Sequence, residues 1–275
     1  MYGLKYDEVT VAALHMKIEL ANKRKNLDKV RYMAKIAKDV GAKIIILPSM
    51  FNTGPVLSEK YRMRVSRRGA VETIPGPSSE YLCKISNDLG ISIVAGPILE
   101  RVGSKTYLTA FVIEPLRCVA AKVRKVCSHK KISSGSEPPI MDLGIRFGLF
   151  IEDDILLPEL SLYNILVNID CIIAFLRLDD EGIKHRIALF VRSMENSVIS
   201  IGIGGIIARG GEILFEIPTT VVDEHGNLVE EAKGFEERVV LVKVTKQKKS
   251  GVMNLAGRKK ILKEIKRLVS TLKSR

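Results

Sequence analysis

Apolar residues along this chain switch repeatedly between a two-residue and a 3.6-residue spacing. That alternation restricts the fold more than any other feature. Residues 9–15 read as a strand, and in 22–40 Leu27, Val30, Met33, Ala34, Ala37 and Val40 share one helical face, stopped by Gly41. The pattern predicts further strands over 43–47, 91–96, 106–114, 118–125, 145–151, 171–175, 198–207, 214–222 and 238–244. It predicts further helices over 78–89, 158–167 and 187–197, the first of them entered after Pro75-Gly76-Pro77 and closed by Gly90. A turn at His225-Gly226-Asn227 separates the last two strands. Strand pairs interleaved with helices imply an α/β layered domain with helices outside mixed sheets. No linker of low complexity divides it, so the expected partition is one domain over 1–245 and a tail over 246–275.

The 275 residues are enough for one large core without metals or disulfides. An apolar fraction of 46% against 27% charged excludes a disordered chain. The longest apolar run, 199–208, falls far short of the ~18 residues that span a bilayer. The start of the chain shows no apolar leader, so a cytoplasmic location is expected. Cys83, Cys118, Cys127 and Cys171 form no CxxC pair and are read as four reduced thiols. A single glutamine, no tryptophan and abundant Lys, Arg, Glu and Ile lean toward a thermophilic source.

The charge is uneven. Of the net +13, the segment 246–275 contributes +10 through Lys246, Lys248, Lys249, Arg258, Lys259, Lys260, Lys263, Lys266, Arg267, Lys273 and Arg275, against Glu264 alone. Within it Ile261, Leu262, Ile265, Leu268, Val269 and Leu272 recur on one helical face. This is a basic amphipathic helix, suited to RNA, a ribonucleoprotein or an acidic protein, or to packing on its own domain or a sister subunit. Aromatic residues are missing from the tail, so contacts to RNA would go to phosphates. Further basic groups, at Lys60, Arg62, Arg64, Arg67 and Arg68 and at Lys122, Arg124, Lys125, Lys130 and Lys131, read as solvated faces or as extensions of a phosphate-binding surface.

Four segments, taken in order, resemble the nitrilase or carbon–nitrogen hydrolase superfamily. Asn22-Lys23-Arg24-Lys25-Asn26-Leu27 followed by 44–54 is similar to that family's first helix, strand and "LPE-x-F-x-T-G" corner. Residues 107–115 with Lys122-Val123-Arg124-Lys125 resemble its "YNTAVVIDP…KYRK" hairpin. Residues 148–160 resemble its "GVxICYDxxFPEL" elbow, and Arg192-Ser193-Met194-Glu195-Asn196 its "RAxEN" helix. The resemblance implies an α-β-β-α sandwich over 1–245, assembled into a homo-oligomer through helices near the elbow and the C-terminal segment. Glu152-Asp153-Asp154 cannot all face one ion, and His15, His129, His185 and His225 are scattered, so no metal and no cofactor are expected.

The resemblance also implies a Cys nucleophile, a Glu base and a Lys that stabilises the tetrahedral intermediate. This chain departs from that set. The Glu corner holds Ser49, the Cys corner holds Glu152, and only Lys125 matches; Glu137 is the candidate for a further family carboxylate. With the thiol gone, the expected role is a non-catalytic binding or scaffold protein, its old pocket held by a Lys125–Glu152 ion pair and its tail engaging RNA, a ribonucleoprotein or an acidic partner. The alternative is an amide or nitrile hydrolase with altered residues built around Lys125, using Ser49 or Glu152. Cys127 reads as a small apolar filler and Gly202-Ile203-Gly204-Gly205 as a strand approached closely by its neighbours. Asp179-Asp180-Glu181-Gly182 reads as a solvated loop.

Overall fold

A computed structural model describes residues 7–61, 69–127, 132–137, 139–247 and 260–267. Two sheets lie at its centre. The first runs β16 (Arg238–Thr245), β1 (Glu8–His15), β3 (Ile44–Ile46), β5 (Ser92–Val102), β6 (Lys105–Glu114) and β7 (Cys118–Arg124), with β4 (Val71–Glu72) also pairing β5. The second runs β15 (Leu228–Ala232), β14 (Thr219–Val222), β11 (Ile199–Ile203), β10 (Cys171–Phe175), β9 (Arg146–Ile151) and β8 (Ile140–Asp142). A small sheet joins β13 (Glu212–Ile217), β12 (Gly205–Arg209) and β2 (Lys17–Glu19). In both large sheets the central pairs, β1–β3–β5 and β9–β10–β11, are parallel and the outer pairs antiparallel.

Strand alternation divides the core into layers. Val11, Ala13, Ile44, Ile46, Ile173, Phe175, Ile201 and Ile203 meet between the sheets. Their neighbours Ala12, Leu14, Ile45 and Leu47 face outward, onto Leu27, Val30 and Met33 of α1 (Lys23–Asp39) and Leu82 and Ile85 of α2 (Pro77–Leu89). On the other sheet Phe150, Ile172 and Ala174 share an outer layer with Leu189 of α4 (Gly182–Asn196), beside α3 (Pro158–Leu166). The result is an α-β-β-α sandwich. Local signals set the helix ends. The Asn22 side chain accepts from Lys25 N at 3.1 Å at the start of α1, and Gly90 takes the left-handed conformation, φ 61°, after α2.

Three expectations are corrected. The runs 198–207 and 214–222 are each two strands, broken at Gly204 and Pro218 where the chain crosses between the second sheet and the small one. A Cβ on Gly204 would stand 2.0 Å from the Ile217 carbonyl, so the crossing strands touch there and glycine is required. The helix expected from 187 begins at Gly182, whose added Cβ would stand 2.0 Å from the Arg177 carbonyl. The thiols are not all free: the antiparallel return of β7 sets Cys118 against Cys83 of α2, and the two form a disulfide with 5.1 Å between Cα atoms. Cys127 and Cys171 are free. In the tail a helix covers 260–267, while Lys248, Lys249, Arg258 and Lys259 lie outside the described residues. Among the described residues no helix is long and apolar enough to cross a membrane.

Candidate functional site

Three strand ends deliver the site. Ser49 follows β3 in a turn anchored by Met50 N donating to the Pro97 carbonyl at 2.8 Å, and it is buried. Lys125 follows β7, with its N–H on the Leu108 carbonyl at 2.9 Å and its own carbonyl accepting from Gly135 N at 2.7 Å. Glu152 follows β9 with φ 54°, a left-handed conformation uncommon for glutamate, and opens a short 3-10 turn, Glu152–Leu156.

Two buried groups brace that turn. The Asp154 carboxylate accepts from Val126 N at 3.0 Å and from Cys127 N at 2.6 Å, tying the turn to the Lys125 segment. Arg192 of α4 donates to the Ile155 carbonyl at 2.9 Å and to Glu195 at 2.7 Å. Ser161 of α3 donates to Glu195 at 2.7 Å and accepts from Asn196 at 2.8 Å, which closes the clasp between the two helices.

The braces bring Ser49, Lys125 and Glu152 together. The Ser49 hydroxyl donates to Glu152 Oε1 at 3.1 Å, and Lys125 Nζ lies 3.3 Å from Glu152 Oε2 and 2.5 Å from Asp153 Oδ2. The network continues to His185 Nε2, 3.1 Å from Asp153 Oδ1, and to Arg177, which grips Asp179 at 2.6 and 3.1 Å. Lys125, Glu152, Asp153, Arg177 and Asp179 line a cavity of about 150 Å³ with Met50, Leu57, Leu108 and Ile132.

Burial alone would discharge these groups, but their partners prevent it. Burial opposes the Lys125 charge; Glu152 and Asp153 outweigh it and raise the ammonium pKa above the ordinary lysine range. Burial likewise opposes the Asp153 charge, and hydrogen bonds from His185 and Lys125 hold that carboxyl well below the usual range. For Asp179, Arg177 overcomes the cost of burial in the same way. Asp154 goes the other way: burial pushes its pKa up despite the two backbone N–H donors.

Sequence reasoning missed Asp153, Arg177, Asp179 and His185 as members of this site. Asp179 is buried and clamped by Arg177, which corrects the solvated-loop expectation. The candidate Glu137 is also corrected. It is exposed and lines a different depression with Lys122 and Arg124. Cys127 offers no displaced nucleophile, because burial and Asp154 push its thiol up to about 11. Cys171 is fully buried. Ser49, Lys125 and Glu152 therefore bring a hydroxyl, an ammonium group and a carboxylate together at the pocket. Among the described residues no group of three or more His, Cys, Asp or Glu is placed to hold a metal ion. In the tail, Lys260, Lys263, Lys266 and Arg267 are exposed on their helix, and Lys246 reaches the Gly144 carbonyl at 3.5 Å.

Comparison with known proteins agrees with this geometry. The carbon-nitrogen hydrolase profile matches residues 10–249. This chain belongs to the carbon-nitrogen hydrolase family. The structure of Saccharomyces cerevisiae Nit3, a nitrilase-superfamily protein, superposes with a TM-score of 0.72 at 21% identity, over 88% of this chain and 91% of that one. A Pyrococcus abyssi nitrilase is 30% identical over 158 residues, 55% of this chain and 58% of its own. A chloroplastic omega-amidase of Arabidopsis thaliana is 28% identical over 156 residues, 52% of this chain and 42% of its own. The matched regions thus span about half the length of these two relatives. The strand-end turns that the sequence resemblance singles out carry Ser49, Lys125 and Glu152 in this chain.

Proposed function

We propose that this carbon-nitrogen hydrolase family member hydrolyses a small amide by direct attack of water, without a covalent intermediate. The observation that carries the reading is Glu152 Oε2 beside Lys125 Nζ, 3.3 Å apart on one pocket wall, with Ser49 fixing the other carboxylate oxygen. Glu152 takes a proton from water as the oxygen bonds to the amide carbon. The carbonyl electrons move to the oxygen facing Lys125, whose ammonium is kept charged. Glu152 then returns the proton to the nitrogen as the C–N bond breaks. The amidase and nitrilase relatives support this reading over a purely structural role for the fold.

Ammonia release from a panel of short ω-amides tests it. Turnover is expected to fall at least about a hundredfold in Glu152→Gln and in Lys125→Met, and only mildly in Ser49→Ala. Absence of turnover in the parent protein, or full activity in Glu152→Gln, would sink the mechanism. Retained ligand binding without turnover would favour the second reading, a pocket that only binds; the double pairing of Lys125 with Glu152 and Asp153 supports that one.

The tail and the assembly are proposed on separate grounds. Lys260, Lys263, Lys266 and Arg267 face solvent, and we propose that they contact the phosphates of single-stranded RNA. Binding across a salt series should show a slope of roughly −0.7 per neutralised phosphate, flattened when all four become Gln. An unchanged slope removes the role. Ile183, Ile187, Val191 and Met194 are exposed along α4, which supports pairing of two copies near the elbow. Light scattering that shows only monomer at micromolar concentration would exclude it.

A further inference from the structure

Two carboxylates share one ammonium group in this pocket. Lys125 Nζ lies 2.5 Å from Asp153 Oδ2 and 3.3 Å from Glu152 Oε2. The two acids differ in what holds them. Glu152 accepts from the Ser49 hydroxyl at 3.1 Å. Asp153 is held on its other oxygen, Oδ1, by His185 Nε2 at 3.1 Å, with Arg177 Nη1 at 3.9 Å.

The backbone sets the state of His185. The start of α4 presses on the chain at Arg177, and the helix carries His185, fully buried, up to the Arg177 N–H. That N–H lies 3.4 Å from His185 Nδ1. A peptide N–H can only donate, so Nδ1 is the acceptor and carries no proton. The proton of the ring is then on Nε2, and the 3.1 Å contact is a hydrogen bond given by His185 to Asp153 Oδ1. An aspartate fixed at one oxygen presents the other in one direction, and here Oδ2 meets Lys125. An ammonium group has three protons to give. Asp153 takes one at short range and Glu152 one at the longer distance. Among the described residues Lys125 Nζ has no third hydrogen-bond partner, which leaves one N–H for the oxygen of a substrate.

We propose that His185 is a positioning residue for Lys125 and Glu152. By holding Asp153 as the fixed counter-ion of Lys125, it leaves Glu152 at its longer contact, as the carboxylate that exchanges a proton. The part played in turnover rests on the hydrolase reading; the tautomer and the grip on Asp153 do not.

Nitrogen NMR of the full chain labelled at histidine reads the tautomer at neutral pH, with the His185 signals identified by their loss in His185→Gln. The proton is expected on Nε2. A proton on Nδ1, or on both nitrogens, overturns the proposal. Ammonia release from the ω-amide panel reads the rest. His185→Leu should lower kcat about tenfold and change KM by less than about twofold. His185→Gln, which keeps an N–H donor for Asp153, should lose no more than about threefold. Equal losses in the two variants, or an unchanged kcat in His185→Leu, overturn the proposal. If the leucine variant does not fold, His185→Asn, whose shorter side chain withdraws the N–H from Asp153, takes its place. A proton on Nε2 without turnover in the parent protein keeps the grip on Asp153 and removes the hydrolase reading. Turnover with the proton on Nδ1 does the reverse.

Discussion

The cavity-facing positions at the strand ends and their supports on α4 compare differently with the motifs that the sequence resembles. Ser49 and Glu152 differ from the residues those motifs carry, while Arg192, Glu195 and Asn196 match theirs and clasp the elbow. Glu152 holds a left-handed backbone at φ 54°. The contrast teaches that the turn beneath Glu152 is positioned by Asp154 and Arg192, which bind backbone, and not by the groups that face the cavity.

Substitutions on the two sides should separate them. Arg192→Ala strips a buried guanidinium from the Ile155 carbonyl and from Glu195, and should cost about 3 kcal/mol in urea unfolding. A loss under 1 kcal/mol would mean that the clasp is not what holds the turn. Asp154→Ala leaves the N–H groups of Val126 and Cys127 without their acceptor and should cost about 2 kcal/mol; intact stability there would detach the Lys125 segment from the elbow.

The reacting side should respond less. Asp153→Asn should cost about 1 kcal/mol at pH 7. The Asp153 carboxyl has a depressed folded-state pKa, so its contribution is complete above the ordinary aspartate range and disappears as pH falls through the folded value. The difference between the two proteins should therefore persist at pH 5 and close only in strong acid. A gap that closes between pH 7 and 5 would contradict the Lys125 and His185 pairing. Ser49→Ala removes one hydroxyl from Glu152 and should change stability by roughly 0.5 kcal/mol. A large loss there would move Ser49 to the supporting side.

This division also explains what was legible in the sequence. Ser49, Lys125 and Glu152 were legible through the resemblance to the family, because the motif around each is local in sequence. Spacing alone made the α/β layering legible, and the resemblance supplied the sandwich. Arg177, Asp179 and His185 were not, because their meaning lies in partners far along the chain: His185 meets Asp153 across 32 residues. Asp179 looked like loop acid until Arg177 was seen to fold back on it. Glu137 was assigned by order along the chain, and the return of the segment after Lys125 leaves it outside the pocket. The break at Gly204 was hidden because the apolar run continues on both sides of it, whereas Pro218 carries its own signal, a residue that cannot donate to a ladder.

The pairing of β1 with β16 has a consequence for synthesis. Glu8 lies opposite Thr245 and His15 opposite Arg238, so the first strand of the sandwich waits for the last. A chain emerging from the ribosome presents β1 early, with its outer row of N–H and carbonyl groups unsatisfied, while nearly the whole domain is still being made. That row is covered only when β16 arrives and becomes the outer strand of the sheet. A nascent chain cut short before residue 238 therefore carries an open strand edge ready to pair with another copy. Emergence of β16 is the event that gives β1 its partner and hands the sheet edge to a strand with alternating exposed residues.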